Sequence, residues 1–146
     1  MLTYGPFDAG AGSSIMEGFW TKMARLWKGD GVVFNYLNEL EVYGDSSGRL
    51  VKVKSGAFWI KGHYAYDTAE TTINLTTNVS GNTRIDLIVA QIDWVNNTMS
   101  IVAIEGTPGA IPVAPSLTQT DGTLWQIALA QVTIANGYTT VAPTDV

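Results

Sequence analysis

The residues that could carry acid–base or nucleophilic chemistry are few in this 146-residue chain. His63 is the only histidine, so a Ser-His-Asp arrangement would have to use it, and no nucleophile-elbow sequence accompanies it. Asp86 and Asp93 lie seven residues apart on one predicted strand, so they point to opposite faces and form no dyad by themselves. We expect a structural role for His63, and solvation or pairing with Arg84 for Asp86.

The residue types available argue against a bound metal ion and against a phosphate-bearing cofactor. The chain has no cysteine, its carboxylates are scattered, and neither an EF-hand nor a His-x-x-x-His pattern occurs. The glycine-rich segments 5–12 and 29–31 are followed by no Gly-Lys-Ser/Thr and do not stand between a strand and a helix. We therefore predict no metal, no cofactor and no catalytic residue. A third interpretation is an enzyme that cleaves polysaccharides. Such an enzyme needs two carboxyl groups within about 5–10 Å of each other. The candidates for this pair are Asp67, Glu70, Asp86 and Asp93.

Composition narrows the class of partner. Eight Lys and Arg against thirteen Asp and Glu give a net charge of -5, which argues against binding to nucleic acid or to an anionic membrane. No run approaches the roughly 20 apolar residues of a membrane span, and Met1–Gly12 lacks the pattern of a signal peptide. Charged residues are only 14% and hydrophobic residues 46% of the chain, which predicts much surface buried in contacts.

One amphipathic helix is predicted from Ser14 to about Lys28. Ser14 and Glu17 have the spacing of a capping box, and Gly29 and Gly31 end the pattern. Its apolar face is wider than a lone helix leaves in water, so we expect another surface to cover it. That face consists of Ile15, Met16, Phe19, Trp20, Met23, Leu26 and Trp27.

The remainder reads as strands separated by turn residues, which predicts a β-sandwich or barrel-like domain of about seven strands. We divide the chain into an N-terminal arm and helix for assembly, residues 1–40, and a β domain, residues 41–146. The predicted strands are Leu40–Tyr43, Leu50–Lys54, Ala57–Tyr66, Thr71–Thr76, Ile85–Val95, Thr98–Glu105 and Leu124–Ile134.

The strongest local pattern is a hairpin around Asn96-Asn97, because asparagine tolerates the left-handed conformation of a tight primed turn. A two-residue loop would pair Trp94 with Met99 and Ile92 with Ile101, placing both pairs on the core face. Val89 and Ile104 make the second face apolar at the hairpin base, so we expect that base to be covered on both sides.

The C-terminal third contains a crossing, a long strand and a tail. Pro108, Pro112 and Pro115 predict an ordered crossing from Gly106 to Gly122, because proline removes ladder donors. Leu124–Ile134 shows little polar alternation, so it should be a central or interface strand. The segment Tyr138–Val146 is interpreted as a possible extended arm.

These apolar surfaces together indicate self-assembly, for which a closed ring is the simplest arrangement of one gene product. The residues that we expect at the assembly interface are Phe19, Trp20, Met23, Trp27, Val89, Ile104 and Trp125. An alternative is a receptor-binding module that stacks host surface glycans on aromatic rings. Its candidate residues are Trp59, Tyr64, Tyr66 and Trp94, with the polar loop Thr77–Thr83.

Several blocks, in fixed order and across nearly the whole chain, resemble the virion structural proteins of tailed bacteriophages. They are Gly5–Gly10, Trp20–Trp27, Gly29–Val33, Leu37–Leu40, Val51–Tyr64, Arg84–Val89 with Asp93, Gly106–Pro108, Pro112, Pro115–Gly122 and Leu129–Val132. The resemblance implies a non-enzymatic module located in the virion, usually homotrimeric, that attaches one virion protein to another in the tail, baseplate or fibre. Relatives in head decoration imply a capsid-decoration or head-fibre-base role as the alternative.

Overall fold

The structure is a computed structural model that describes residues 17–27 and 29–146. In that part of the chain one helix precedes ten short strands and a closing 3₁₀ turn, so the fold is mainly β, as the sequence predicted. The predicted helix start at Ser14 lies outside the described residues. The elements are α1 (Glu17–Trp27), β1 (Gly31–Val32), β2 (Val42–Tyr43), β3 (Leu50–Val53), β4 (Gly56–Ile60), β5 (His63–Asp67), β6 (Thr71–Asn74), β7 (Arg84–Asp93), β8 (Thr98–Ile104), β9 (Gln119–Thr120), β10 (Leu124–Ile134) and the turn Pro143–Asp145.

The strands form three antiparallel sheets, with orders β1-β4-β5, β2-β3-β6 and β8-β7-β10-β9. One apolar core joins them, because inward residues of the four-stranded sheet contact those of both smaller sheets. The arrangement is therefore sandwich-like, with the two small sheets forming the second layer. The buried core includes Leu40, Val51, Val53, Phe58, Ile60, Leu75, Ile88, Ala90, Ile92, Val132, Ile134 and Val141.

The prediction of a single strand over Ala57–Tyr66 was wrong. The segment is a hairpin in which β4 and β5 pair Phe58 with Ala65, around a turn at Lys61-Gly62. Both turn residues have positive φ, 50° for Lys61 and 85° for Gly62, as a two-residue primed turn requires. Lysine is not a usual turn residue, so the dipeptide gave no turn signal in the sequence. This hairpin is one reason that the structure has ten strands and not the predicted seven or so.

The predicted register of the β7–β8 hairpin was wrong by two residues. Ile92 pairs with Met99 and Ala90 with Ile101, which leaves a four-residue loop from Trp94 to Asn97. Of the two asparagines only Asn97 has positive φ, 51°, whereas the primed turn needs two such residues. A shift of two preserves the alternation, so Ile92 and Ala90 still face the core.

The base of that hairpin is buried on both faces, as predicted. Leu87, Ile88, Val89 and Ala90 are all buried, although successive residues point to opposite faces of β7. Strand β10 has the predicted bounds and lies between β7 and β9, with a bulge between Ala128 and Ala130.

The tail is not an extended arm, contrary to the prediction. Val141 is buried in the core, its N–H donates to the Gly48 carbonyl at 3.0 Å, and its carbonyl accepts from the Ser46 N–H at 2.8 Å. A Cβ on Gly44 would lie 2.6 Å from the Val141 oxygen, so the packing depends on glycine there. Two backbone hydrogen bonds and one buried valine therefore fix this segment.

Candidate assembly surface

Helix α1 is attached to the β-sheets through polar bonds of Arg25. The Arg25 guanidinium donates to both carboxylate oxygens of Asp121 at 3.1 Å, and its Nε donates to the Lys61 carbonyl at 2.8 Å. The pKa of Asp121 is held below its ordinary value, first by the Arg25 hydrogen bonds and then by the charges of Arg25 and Lys61. The ionised carboxylate thus favours the attached helix.

The backbone of α1 also comes very close to the β4–β5 turn. A Cβ added to Gly62 would lie 2.3 Å from the Thr21 carbonyl oxygen, a distance that no side chain tolerates. Ala24, on the same side of the helix, is buried. The helix therefore faces the body of the molecule with Thr21, Ala24 and Arg25, its small and polar side.

Lys61 holds the turn on which the helix rests. Its Nζ lies 3.5 Å from the centroid of the Trp125 ring and 3.4 Å from Asp30 Oδ2. Its backbone N–H donates to Asp30 Oδ1 at 2.7 Å. The Lys61 ammonium thus makes both a cation–π contact with Trp125 and an ion pair with Asp30. Trp125 is linked to α1 through Lys61, whose carbonyl accepts the bond from Arg25.

Outside the side that contacts the body, α1 exposes large apolar side chains to solvent. Trp20 is 50%, Leu26 86% and Trp27 72% exposed, whereas Met23 is half-buried. The side chain of Phe19, also predicted at the interface, lies outside the part of the chain that the structure describes. Since a helix advances 100° per residue, Trp20 and Trp27 lie on one stripe, directed away from Arg25. We call Trp20, Met23, Leu26 and Trp27 the aromatic face.

The other predicted interface residues do not join the aromatic face in one patch. Val89 is fully buried inside this chain and therefore belongs to its core. Ile104 is half-buried at the end of β8, where it pairs with Leu87 of β7. Trp125 is half-buried and is connected with α1 through Lys61. Whether partner subunits contact these residues stays a prediction, as does the division of the chain at residue 40.

A buried ion pair lies at the base of β7. Arg84 donates to Asp86 at 2.9 and 3.0 Å, and both side chains are only 2% exposed, so the pairing alternative for Asp86 was right. Arg84 also donates to the Thr76 and Thr77 carbonyls and to Glu105, while Asp86 accepts from the Gly106 N–H. The network fixes the start of the crossing at Gly106.

The remaining candidates for chemistry are occupied by local bonds. Asp67 accepts from the Ala69 N–H at 2.9 Å and from Thr71 Oγ1 at 2.8 Å, which lowers its pKa. Asp93 accepts from the Asn96 side chain and backbone, which also lowers its pKa. His63 packs edge-on against Trp94, with ring centroids 5.9 Å apart. Within residues 17–27 and 29–146, no three His, Asp or Glu side chains group as a metal site would require.

The glycan candidates divide between two places. Trp59 and Tyr64 stack at 6.0 Å on the outer face of the β1-β4-β5 sheet, where Tyr64 and Tyr66 are exposed. Trp94 instead lies at the β7–β8 loop with His63, beside a cleft of about 520 Å³. The polar loop Thr77–Thr83 is fastened by Asn78, whose amide donates to the Ile134 and Asn82 carbonyls.

Comparisons with known proteins identify no relative. No family model, no curated protein and no solved structure matches this chain. Across the described residues there is no helix with the length and apolar character needed to cross a membrane.

Proposed function

We propose that this chain is a non-enzymatic structural component of a tailed-phage virion, which assembles as a homotrimer and attaches to the tail, baseplate or fibre. One observation carries the proposal: α1 is bonded to the body through its polar side, while Trp20, Leu26 and Trp27 remain exposed. A large apolar patch displayed on a rigidly attached element is typical of a protein–protein contact.

The magnitude of the expected gain supports self-association. A buried aromatic side chain covers about 150–250 Å², and at roughly 25 cal/mol per Å² two tryptophans contribute several kcal/mol before association costs. Cyclic closure repeats the same contact in every subunit, so no copy keeps an uncovered aromatic face. The threefold order itself comes from the resemblance to phage virion proteins.

The experiment that tests the proposal is to locate the protein in intact particles made by the genome that encodes it. We expect mass spectrometry of purified particles to detect the chain, and cryo-electron microscopy to place trimers at a tail, baseplate or fibre joint. Density on the capsid would instead favour the decoration or head-fibre-base alternative. Absence from purified particles would overturn the virion role.

A receptor-binding module for host glycans is the second candidate. It is favoured by Tyr64 and Tyr66, which expose aromatic rings with polar tips beside the stacked Trp59. A glycan array with the purified protein separates the two functions. Binding that is lost in Tyr64→Ala, but kept in Ile111→Ala at an exposed position on the crossing, would support it, and an array without signal would remove it.

A further inference from the structure

A second apolar feature lies on the loop between β1 and β2. Phe34 is 81% and Leu37 53% exposed, and Tyr36 between them is also exposed. We call these three residues the apolar tip. In a chain with few charges, three large apolar side chains within four positions are an unusual cost to solubility, so the tip is a candidate contact.

The loop that carries the tip is held at several points. Val33 N–H donates to the Ala57 carbonyl and Asn38 N–H to the Ser55 carbonyl, both at 2.9 Å. The Asn38 amide donates to Ser55 Oγ at 2.7 Å, and Leu40 is buried in the core. The tip is thus presented by an anchored backbone.

That backbone is also strained. Asn35, Leu37, Glu39 and Leu40 have φ between 54° and 57°, the left-handed region that non-glycine residues avoid at about 1–2 kcal/mol each. Strain of this kind persists where the surroundings enforce it, and it clusters at binding sites. Phe34 and Leu37, which are both exposed, lie on this strained segment.

A matching cleft lies beside the loop on the same chain. It has a volume of about 210 Å³, and its walls are mainly Phe58, Ala65, Met99 and Ile101, with Leu40 at the loop end. An apolar cavity of about 150 Å³ is enough to bind benzene, so one phenyl ring fits. The other lining residues are Gly56, Tyr66, Asp67, Thr71 and Ser100, and Asp67 is hydrogen-bonded locally.

We propose that the apolar tip of one copy inserts Phe34 into the Phe58–Met99 cleft of a second copy. The phenyl ring is itself apolar and of the size that the cleft accepts, and both partners occur on this one chain. The tip of the same chain does not fill its own cleft, since Phe34 is exposed. Leu40 joins tip and cleft in one rigid unit, so each contact repeats with the same rotation and a ring can close.

This contact deepens the proposed function, because it rests on self-assembly and adds a contact other than the aromatic face. The direct test replaces Phe34 by p-benzoylphenylalanine in the full chain and irradiates a mixture of unlabelled and ¹⁵N-labelled protein. We expect mixed-isotope crosslinks that join position 34 to the peptide containing Met99. Crosslinks found only within one chain, or to other peptides, would overturn the inference.

Two variants give an independent measurement by sedimentation. Phe34→Ser should weaken self-association by about tenfold or more, as removal of a central anchor does. Ile111→Ser, which changes an equally exposed residue on the crossing, should leave self-association unchanged. Circular dichroism verifies that both variants fold.

The outcomes distinguish the two proposals. An oligomeric parent protein whose association is insensitive to Phe34→Ser overturns the tip-in-cleft contact and leaves the proposed function standing. A parent protein that stays monomeric at high micromolar concentration, and is missing from particles, overturns both.

Discussion

At the scale of single residues, the strongest constraint is the buried pair of Arg84 and Asp86. Removing Asp86 leaves the buried Arg84 guanidinium with the half-exposed Glu105 as its ionic partner, so the cost should be near the lower end of the roughly 3–5 kcal/mol of a broken buried ion pair. We expect Asp86→Ala to lower the free energy of unfolding by that amount and the isosteric Asp86→Asn by less, measured by urea denaturation. Gly106 loses its acceptor too, so the crossing should exchange amide hydrogens faster.

The control for that prediction is a surface ion pair with a similar nitrogen–oxygen distance. Lys54 and Glu41 lie 2.8 Å apart but are well exposed, so solvent screens their attraction. Glu41→Ala should change stability far less than Asp86→Ala. Equal losses from the two variants would show that burial is not what makes the Arg84 pair important.

Acid should weaken the attachment of α1 through Asp121. The pKa of Asp121 lies below its ordinary value of 3.8, so the folded state stabilises the ionised form. This contribution is complete above the unfolded pKa, near pH 4, and is lost as the pH falls through the folded pKa. The Arg25 Nη–H signals in NMR, which report the two bonds to Asp121, should shift toward their free positions over that range.

Asp121→Asn is the matched control for this titration. That variant should lack the acid step in the Arg25 signal and should hold the helix less firmly at neutral pH. A step that persists in Asp121→Asn would show that the effect does not come from Asp121.

The pairing of Asp86 with Arg84 was predictable, because residues two apart on a strand share a face. The burial of this pair was not predictable, since the groups that surround Arg84 come from other segments of the chain. They are the Thr76 and Thr77 carbonyls and Glu105. The left-handed residues of the 33–41 loop were missed as well. Leucine and glutamate carry no sequence signature for positive φ, which tertiary contacts impose here.

At the scale of elements, the fit between α1 and the β4–β5 turn depends on Gly62. A Cβ there would meet the Thr21 carbonyl at 2.3 Å, in addition to the backbone strain at φ 85°. We expect Gly62→Ala to displace α1, seen as faster hydrogen exchange of the α1 amides and loss of the Arg25–Asp121 bonds. The effect should exceed the cost of backbone strain alone.

Gly81 separates the two causes. It has the same φ of 85°, but a Cβ there would meet nothing within 4 Å. Gly81→Ala therefore introduces the strain without the collision, and α1 should keep its normal exchange rate. If both variants loosened α1 equally, the close approach would not be what positions the helix.

Sequence patterns predicted elements well where local chemistry dominates. The last strand had the right bounds, and the presence of the β7–β8 hairpin was right. The hairpin register failed because Asp93 bonds to the Asn96 backbone and side chain, which stabilises a four-residue loop over the expected two. The tail failed because its partners, Ser46 and Gly48, lie almost a hundred residues away.

At the scale of the whole molecule, low charge predicted extensive contacts, and the described chain exposes several separate apolar groups. The prediction of a mainly β, sandwich-like fold was confirmed. The sequence could not say which side of α1 faces the body, because an amphipathic helix ordinarily buries its apolar side. Here Arg25 and the close contact at Gly62 reverse that orientation, which leaves Trp20 and Trp27 outward.

Replacing Trp20 by alanine should weaken assembly by a few kcal/mol, as loss of an aromatic anchor does. The same change should lower the stability of the isolated subunit by about 2–3 kcal/mol, because only the buried half of the side chain contributes there. Thermal melting of the dilute protein and its sedimentation at higher concentration separate these effects. Val95→Ala, at another exposed apolar position, is the control for a general loss of hydrophobicity.

Native mass spectrometry tests most directly whether the aromatic face is the assembly surface. The parent protein and the Trp20→Ala, Trp27→Ala double variant are compared across a concentration series. We predict a trimer for the parent protein and a folded monomer for the double variant. A parent that remains monomeric throughout, or a double variant that forms the same trimer, would contradict the claim that the aromatic face of α1 is the assembly surface.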